Sequence, residues 1–183
     1  MRRSGFKGLV AAGLVATGIA ASTSVVAASD MFLKLGNIKG ESVDAKHKGE
    51  IDVLSWSWGA STGTARTRKG NVPVACIQDL AFTKSLDSAT PEIITTAVTG
   101  NVVPGTVVLT MRKSGDKPQD FFILTMSNVT IEAYQTSASE GANTLFENVV
   151  LHFDVLKGEY RSQRPDGTLG TPVFFEVSGS CPQ

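Results

Sequence analysis

The segment 50–59 constrains the fold more than any other, because both tryptophans of the chain lie in it, two positions apart. In a strand, residues two apart point to the same face, whereas a helix would place them about 200° apart. The pattern therefore predicts a strand with a heavy apolar face that belongs to the core: Leu54, Trp56 and Trp58. The opposite face is small and uncharged: Val53, Ser55 and Ser57. Such a face indicates either a surface with a specific role or an ordinary half-exposed strand, and the segment alone leaves both open.

A second predicted strand, 74–84, repeats this division into two faces. Leu80 and Phe82 point one way and are expected to face the core. The opposite face carries residues that are mostly small or polar: Ile77, Asp79, Ala81 and Thr83. Two strands with matching small faces are expected to be neighbours in one sheet that lines a surface.

A single helix is expected within segment 87–100. Thr90 is a candidate N-cap, Pro91 suits the first helical position, and Gly100 can end the helix. The spacing of the apolar residues predicts one buried face: Ile93, Ile94, Ala97 and Val98.

Alternation typical of strands dominates the rest of the chain. It starts at 30–35 and continues beyond the helix over 105–113, 121–126, 129–134, 144–160 and 173–177. One helix among about eight strands predicts a mainly β fold, either a two-sheet sandwich or a small β-barrel with one flanking α-helix. A chain of 183 residues with 42% hydrophobic content is enough for one globular domain with a core.

The segment 60–71 has no apolar periodicity and is rich in Ser, Thr and Gly. It carries the only basic cluster outside the N-terminus: Arg66, Arg68 and Lys69. Long irregular loops in compact domains are commonly functional or disordered. We therefore predict a long irregular loop here.

Residues 1–28 have the pattern of an export signal, which leaves 29–183 as the mature domain. An apolar Ala/Gly-rich run at 8–21 is followed by small residues that place cleavage after Ala28. The charged start holds three basic residues: Arg2, Arg3 and Lys7. A membrane anchor fits less well, because the apolar run is short of the roughly 20 residues that a span needs. The protein is expected to be secreted or periplasmic, without membrane contact after cleavage, and the general and twin-arginine routes both remain open.

The charge balance argues against a nucleic-acid partner. The chain has 17 basic and 17 acidic residues, and the predicted signal contains three of the basic ones and no acid. The mature domain then carries 14 basic against 17 acidic residues. A mildly acidic domain without a basic run lacks the attraction on which binding to a phosphate backbone depends.

The two cysteines, Cys76 and Cys181, would enter an oxidising compartment after export. One pair allows one disulfide, which would close a loop on the order of 100 residues and restrict the unfolded chain. The alternative is a buried free Cys76 in a strand and a thiol near the C-terminus. The sequence leaves both alternatives open.

An enzymatic role has little support in the sequence. His47 and His152 are the only histidines, and no spacing of His, Cys and carboxylates is typical of a metal site. There is no nucleophile elbow and no phosphate-binding loop. Asp79 and His152 would make an acid–base pair, but their separation along the chain gives no reason to join them. We interpret His152 as a structural histidine and His47 as a solvated loop residue, and expect no catalysis, cofactor or metal.

Several segments resemble the haemolysin-coregulated protein (Hcp) family of type VI secretion. They occur in order and cover nearly the whole mature chain: 30–36, 39–42, 50–59, 78–84, 90–91 and 147–149. The resemblance implies a β-barrel of two sheets with one flanking helix, assembled as a hexameric ring. It also implies that rings stack into the inner tube of a contractile injection machine, and that small effector proteins are carried in the ring lumen.

The resemblance assigns roles to the two unusual surfaces. The small faces are expected to line the lumen, with five residues as candidates: Ser55, Ser57, Asp79, Ala81 and Thr83. The basic loop is expected to contact the next ring through Arg66, Arg68 and Lys69, as the open contact of a filament requires. The implied partners are further copies of this chain, small effectors, and the tip and sheath proteins of the machine.

The export signal departs from this family pattern, because similar tube proteins leave through the machine without one. The alternative is an exported periplasmic or extracellular Hcp-like binding module, ring or monomer, that is not part of a tube. A third class is a monomeric carbohydrate-binding or adhesin-type sandwich. It predicts aromatic residues in surface loops, yet neither 60–71 nor 135–143 contains a tryptophan.

Overall fold

The computed structural model describes residues 29–114, 118–138, 140–141, 143–164 and 166–179, which form eleven strands and one helix. The strands are β1 (Ser29–Leu35), β2 (Ile51–Ser57), β3 (Ala60–Thr67), β4 (Gly70–Ile77), β5 (Leu80–Ser85), β6 (Val107–Lys113), β7 (Gln119–Ser127), β8 (Thr130–Ser137), β9 (Phe146–His152), β10 (Val155–Tyr160) and β11 (Val173–Ser178). The helix is α1 (Thr90–Thr99). The predicted signal peptide and Cys181 lie outside the described residues. Within the described part of the chain, no helix has the length and apolar character needed to cross a membrane.

Nine strands hydrogen-bond into one antiparallel sheet, in the order β11–β10–β7–β6–β1–β2–β5–β9–β8. We call β11, β10, β7, β6 and β1 its first half, and β2, β5, β9 and β8 its second half. A single core cluster joins Leu124 and Leu156 of the first half to Val149 and Leu151 of the second. The sheet therefore bends over itself like a sandwich, with β8 and β11 as its edges and α1 packed against β8. The predicted mainly β architecture of two sheets with one flanking helix is confirmed.

A β-bulge in β2 changes the face to which its side chains point. Val53 is only 6% exposed, Leu54 is 49% exposed, and the register shifts between Val53 and Ser55. The predictions that Leu54 lies in the core and that Val53 lies on the small face are therefore wrong, because the bulge reverses the alternation. Beyond the bulge the two predicted faces are observed. Trp56 and Trp58 are half-buried on one face, and Ser55 and Ser57 are exposed on the other.

Two segments predicted as single strands are each divided. The segment 74–84 forms β4 and β5, separated at residues 78–79, and the segment 144–160 forms β9 and β10, separated at residues 153–154. At the second break, the Asp154 backbone N–H donates to the Ser127 carbonyl over 3.1 Å, where the chain passes from the second half to the first. Alternation continues across both breaks, so periodicity alone did not reveal them.

The segment 60–71 is a hairpin rather than an irregular loop, and that prediction is wrong. β3 and β4 pair from Ala60 with Ile77 to Thr67 with Gly70, as a separate two-stranded sheet that we call the arm. Most of its side chains are exposed. Apolar periodicity reports a buried face, and a hairpin without one gives no such signal. The two strands are nevertheless rich in Thr and Val, which favour extended backbone.

Helix α1 is observed where it was predicted but is buried along a narrower strip. Ala89 occupies the N-cap without a side-chain cap, so Thr90 is not the cap, and Gly100 ends the helix in the left-handed conformation at φ 64°. Of the predicted buried face, Ile93 is fully buried, whereas Ile94 is 37% and Val98 79% exposed. The prediction that Ile94 and Val98 are buried is therefore wrong, because the sheet covers only a narrow strip of the helix, where it packs against β8.

His47 is buried rather than solvated, which corrects its interpretation as a loop residue. The residue is 7% exposed, and its ring stacks on Phe32 at 4.4 Å between centroids. Nδ1 lies 2.9 Å from Glu50 Oε2, and Nε2 lies 3.3 Å from Asp120 Oδ1. The segment 39–50 therefore covers the outer face of the first half at β1.

Candidate functional site

Four neighbouring strands place eight side chains in two rows on the outer face of the second half. The first row is small: Ser57, Ala81, Val150 and Ala133. The second row is rich in hydroxyl and amide groups: Ser55, Thr83, Asn148 and Gln135. We call these eight residues the polar face. Since neighbouring strands lie about 4.8 Å apart, each row is about 14 Å long.

The polar face points away from the core because the alternate residues of the same strands are buried. Leu80 and Phe82 on β5, and Val149 and Leu151 on β9, are at most 2% exposed. A strand that buries one such set turns the intervening side chains to the opposite side. All eight residues of the polar face are accordingly exposed or half-exposed.

One hydrogen bond within the second row leaves donors for a partner. The Thr83 hydroxyl donates to Asn148 Oδ1 over 2.7 Å in an exposed position. The amide N–H groups of Asn148 do not take part in this bond and remain available. The row can therefore donate and accept hydrogen bonds without presenting a charge.

Asp79 and His152 meet at the end of the polar face next to the arm. Asp79 Oδ1 lies 2.8 Å from His152 Nδ1, and the side chains are 40% and 36% exposed. His152 is two residues beyond Val150 on β9 and lies opposite Thr130 of β8. The antiparallel pairing of β5 with β9 brings the two residues together. Within the described residues, His, Cys, Asp and Glu side chains form no group of three suited to a metal ion.

The open side of the second half carries carboxylates but no lysine or arginine. Lys84 is the only lysine or arginine of β5, β8 and β9, three strands that the structure describes in full. Lys84 is fully buried on the core side. Glu132 of β8 is exposed, and its Oε1 accepts a hydrogen bond of 2.9 Å from the Thr130 hydroxyl. The open side of these strands thus presents carboxylates and one imidazole, and neither lysine nor arginine.

A buried polar network lies beneath the polar face. The Lys84 ammonium group lies 2.5 Å from Glu147 Oε2, 2.7 Å from Asp87 Oδ1 and 3.1 Å from Thr90 Oγ1. The Tyr134 hydroxyl donates to Glu147 Oε1 over 2.8 Å. Burial and this bond to Glu147 raise the pKa of the Tyr134 phenol. The network joins β5, β8, β9 and α1, and so fixes the strands that carry the polar face.

The two tryptophans connect β2 to distant strands of the first half. Trp56 stacks on Phe122 of β7 with 6.2 Å between centroids, and Trp58 stacks on Phe175 of β11 with 6.3 Å. The Trp58 ring N–H is buried and has no hydrogen-bond partner among the residues that the structure describes. Both rings lie on the side of β2 opposite Ser55 and Ser57, so the serines remain on the outside.

The arm carries the basic cluster at its tip and a cysteine at its base. The cluster is exposed: Arg66, Arg68 and Lys69. Near the base, β4 contacts β11. Cys76 is disulfide-bonded. Its pairing with Cys181 stays a prediction, because Cys181 lies outside the described residues.

Comparison with known proteins assigns the family. The family model described as type VI secretion system effector, Hcp, matches residues 32–160. The chain belongs to the Hcp family. This Hcp-family chain is similar to protein hcp1 of Pseudomonas aeruginosa, with 39% identity over 152 residues that cover 81% of this chain and 93% of the relative.

Solved structures agree with this assignment. One described as a type six secretion system protein has a TM-score of 0.75 at 29% identity, covering 82% of this chain and 96% of its own. Hcp1 from Salmonella typhimurium has a TM-score of 0.67 at 30% identity, with 82% and 94% covered. The resemblance found in the sequence is confirmed, and the chain is an Hcp-type protein of the type VI secretion system.

The structure brings the five residues predicted to line the lumen of this Hcp-family chain to one surface, apart from the basic cluster at the tip of the arm. Ser55, Ser57, Ala81 and Thr83 belong to the polar face, and Asp79 lies at its end. Sequence reasoning missed four other members of that face: Ala133, Gln135, Asn148 and Val150. Their alternation with core residues was visible, but only strand register places them beside β5.

Proposed function

We propose that this chain assembles as a hexameric ring with the polar face lining the lumen, and that it carries small effector proteins there. The polar face is the observation that carries the proposal. Membership of the Hcp family supports the ring. A broad sheet face of small, uncharged side chains, which the described part of the chain leaves open, is suited to a channel wall.

The sheet edge β11 supports association with a neighbouring copy. Val173, Phe174 and Phe175 of this edge strand are 66%, 67% and 37% exposed. Unpaired edges and contiguous exposed apolar residues are unfavourable in an isolated soluble chain and are commonly covered by a partner. A second subunit at β11 would cover all three side chains.

The arm supports stacking of rings into the inner tube of the secretion machine. A two-stranded hairpin is marginally stable alone, and contact with another surface stabilises it. The basic cluster at its tip would face acidic side chains of the next ring. Each exposed pair contributes on the order of 0.2–1 kcal/mol, but the copies around a ring act together.

The proposal extends to export and partners. Residues 1–28 direct the chain to the periplasm or the exterior, where a disulfide between Cys76 and Cys181 forms. Further partners are the tip and sheath proteins of the machine, and the role is structural rather than catalytic. Non-reducing mass spectrometry of periplasmic protein is expected to find this crosslink and a mature N-terminus near Ser29, whereas two free thiols would contradict the disulfide.

Light scattering combined with electron microscopy tests the assembly. We expect a hexamer at micromolar concentration and, at low salt, stacks that dissociate as salt screens the arm contacts. Arg66→Glu with Arg68→Glu is expected to abolish stacking while the ring remains. A wild-type chain that stays monomeric would contradict the ring and leave the exported binding module as the function. Long tubes in the double variant would exclude the arm as the stacking element.

A further inference from the structure

We infer that the polar face binds a cationic segment of the cargo polypeptide, held by Asp79 and Glu132 along one side of a small-residue trough. This inference rests on the proposed function, in which that face meets cargo. It adds the chemistry of the cargo surface, which must supply lysine or arginine beside small or hydroxyl-bearing residues.

The trough follows from the order of the rows across the second half. The small row, Ser57 to Ala133, lies between the hydroxyl and amide row on one side and the His152–Thr130 pair on the other. Successive outward residues of a strand are about 7 Å apart, so the flanking rows are about 14 Å from each other. An extended polypeptide laid along the small row would cross the four strands over about 14 Å.

Hydrogen bonds hold such a segment along one side of the trough. The second row offers the Ser55 hydroxyl and the amides of Asn148 and Gln135, all exposed. These groups donate and accept, so they suit the backbone and hydroxyls of a passing chain. These groups do not distinguish cationic from anionic cargo. The carboxylates on the opposite side of the trough make that distinction.

Charge at the other side favours a cation. Asp79 is 40% exposed and fixed by His152, and exposed Glu132 is held by the Thr130 hydroxyl. No lysine or arginine reaches this side from β5, β8 or β9, the strands that the structure describes in full. The outer side of the first half differs, since Lys157 there pairs with Glu176 at 3.2 Å.

His152 acts as a positioning residue in this arrangement. Its imidazole holds the Asp79 carboxylate at 2.8 Å in a partly exposed place, where the free side chain would otherwise sample several rotamers. His152→Gln keeps a donor and is expected to retain most of the cargo affinity. His152→Ala leaves Asp79 unheld and is expected to lower it by about threefold, less than removal of the carboxylates.

The test uses two fluorescent Gly/Ser peptides of about 20 residues that differ only in carrying lysines or glutamates at the same positions. Fluorescence anisotropy with the assembled wild-type protein at low salt is expected to show about tenfold tighter binding of the lysine peptide, declining with added salt. The double variant Asp79→Asn, Glu132→Gln is expected to lose most of this preference. Glu176→Gln, a matched change on the first half, is the control and is expected to change nothing.

A second variant and an independent assembly assay keep the outcomes distinct. Ser57→Lys puts a cation into the trough and is expected to invert the preference toward the glutamate peptide. Equal binding of both wild-type peptides, or a preference unaffected by the double variant, would overturn the inference. Light scattering on the same samples reports the ring separately, so a monomer that still prefers the lysine peptide would contradict the proposed assembly and support the trough.

Discussion

The two halves of the nine-stranded sheet share one core but treat their outer faces differently. In the first half, the segment 39–50 closes over β1 and β6, so that Phe32, Thr110 and Arg112 are at most 5% exposed. In the second half, the corresponding side remains open, with Ser55, Ser57 and Asn148 exposed. The covered part carries the large side chains of Phe32 and Arg112, whereas the open face of the second half carries small ones such as Ser55 and Ser57. The open face is therefore the one that is available to other molecules.

The largest expected effect is the loss of stability when the buried polar network beneath the open face is disrupted. Lys84→Ala leaves Glu147 and Asp87 without their buried cation, and is expected to lower the free energy of unfolding by roughly 3–5 kcal/mol. Chemical denaturation followed by circular dichroism measures this. The paired change Lys84→Met with Glu147→Leu removes both charges and is expected to recover most of the loss. A single variant as stable as the wild type would mean that the network does not hold α1 and the strands together.

The next largest effect is expected from a change in the segment 39–50, which covers the outer face of the first half. His47→Ala loses the stacking on Phe32 and leaves Asp120 and Glu50 without their shared partner, and is expected to cost about 2–3 kcal/mol. His152→Ala is the matched control, because this histidine also has a carboxylate partner but is partly exposed, so its loss is expected to cost less than about 1 kcal/mol. Thermal and denaturant unfolding compare the two variants. Similar losses at both sites would remove the distinction between covered and open faces.

A pH effect is expected from Tyr134, whose pKa is raised by burial and by its bond to Glu147. The unfolded chain loses the phenolic proton near pH 10, whereas the folded chain retains it to higher pH. This contribution is therefore complete below about pH 10 and is lost as the pH rises through the folded pKa. Denaturation between pH 8 and pH 11, a range set around the phenol's usual value of about 10, is expected to show the wild type losing its advantage over Tyr134→Phe. A constant difference would contradict the raised pKa.

The smallest effect concerns the open face itself. Ser57→Ala is expected to change the free energy of unfolding by no more than about 0.5 kcal/mol, because nothing in the described chain covers this side chain. Trp56→Ala on the opposite side of β2 is the contrast, expected to cost about 3–5 kcal/mol through the lost stacking on Phe122. Comparable losses would show that the two faces of β2 are reversed.

Fold class was predictable from the sequence because alternation reports burial, and most strands of this chain bury one face. The bulge at Val53–Ser55 was not, since a shift of one residue leaves the composition of the strand unchanged. The arm escaped prediction because it buries no face. The burial of His47 depends on Asp120, which lies 73 residues away. About half of the polar face was predictable from single strands, whereas Asn148 and Gln135 required the register.

The arm has a consequence for the order in which subunits associate. Its two strands leave backbone donors and acceptors along their outer edges, and open edges of this kind pair readily with one another. Cations at the tip, Arg66 and Arg68 among them, repel the same cations on any other free arm at low salt. In the proposed assembly, this repulsion would protect free subunits from premature aggregation through their arms. The same charges would be neutralised only at an acidic surface, so growth of the proposed stack would be directed to an already formed end.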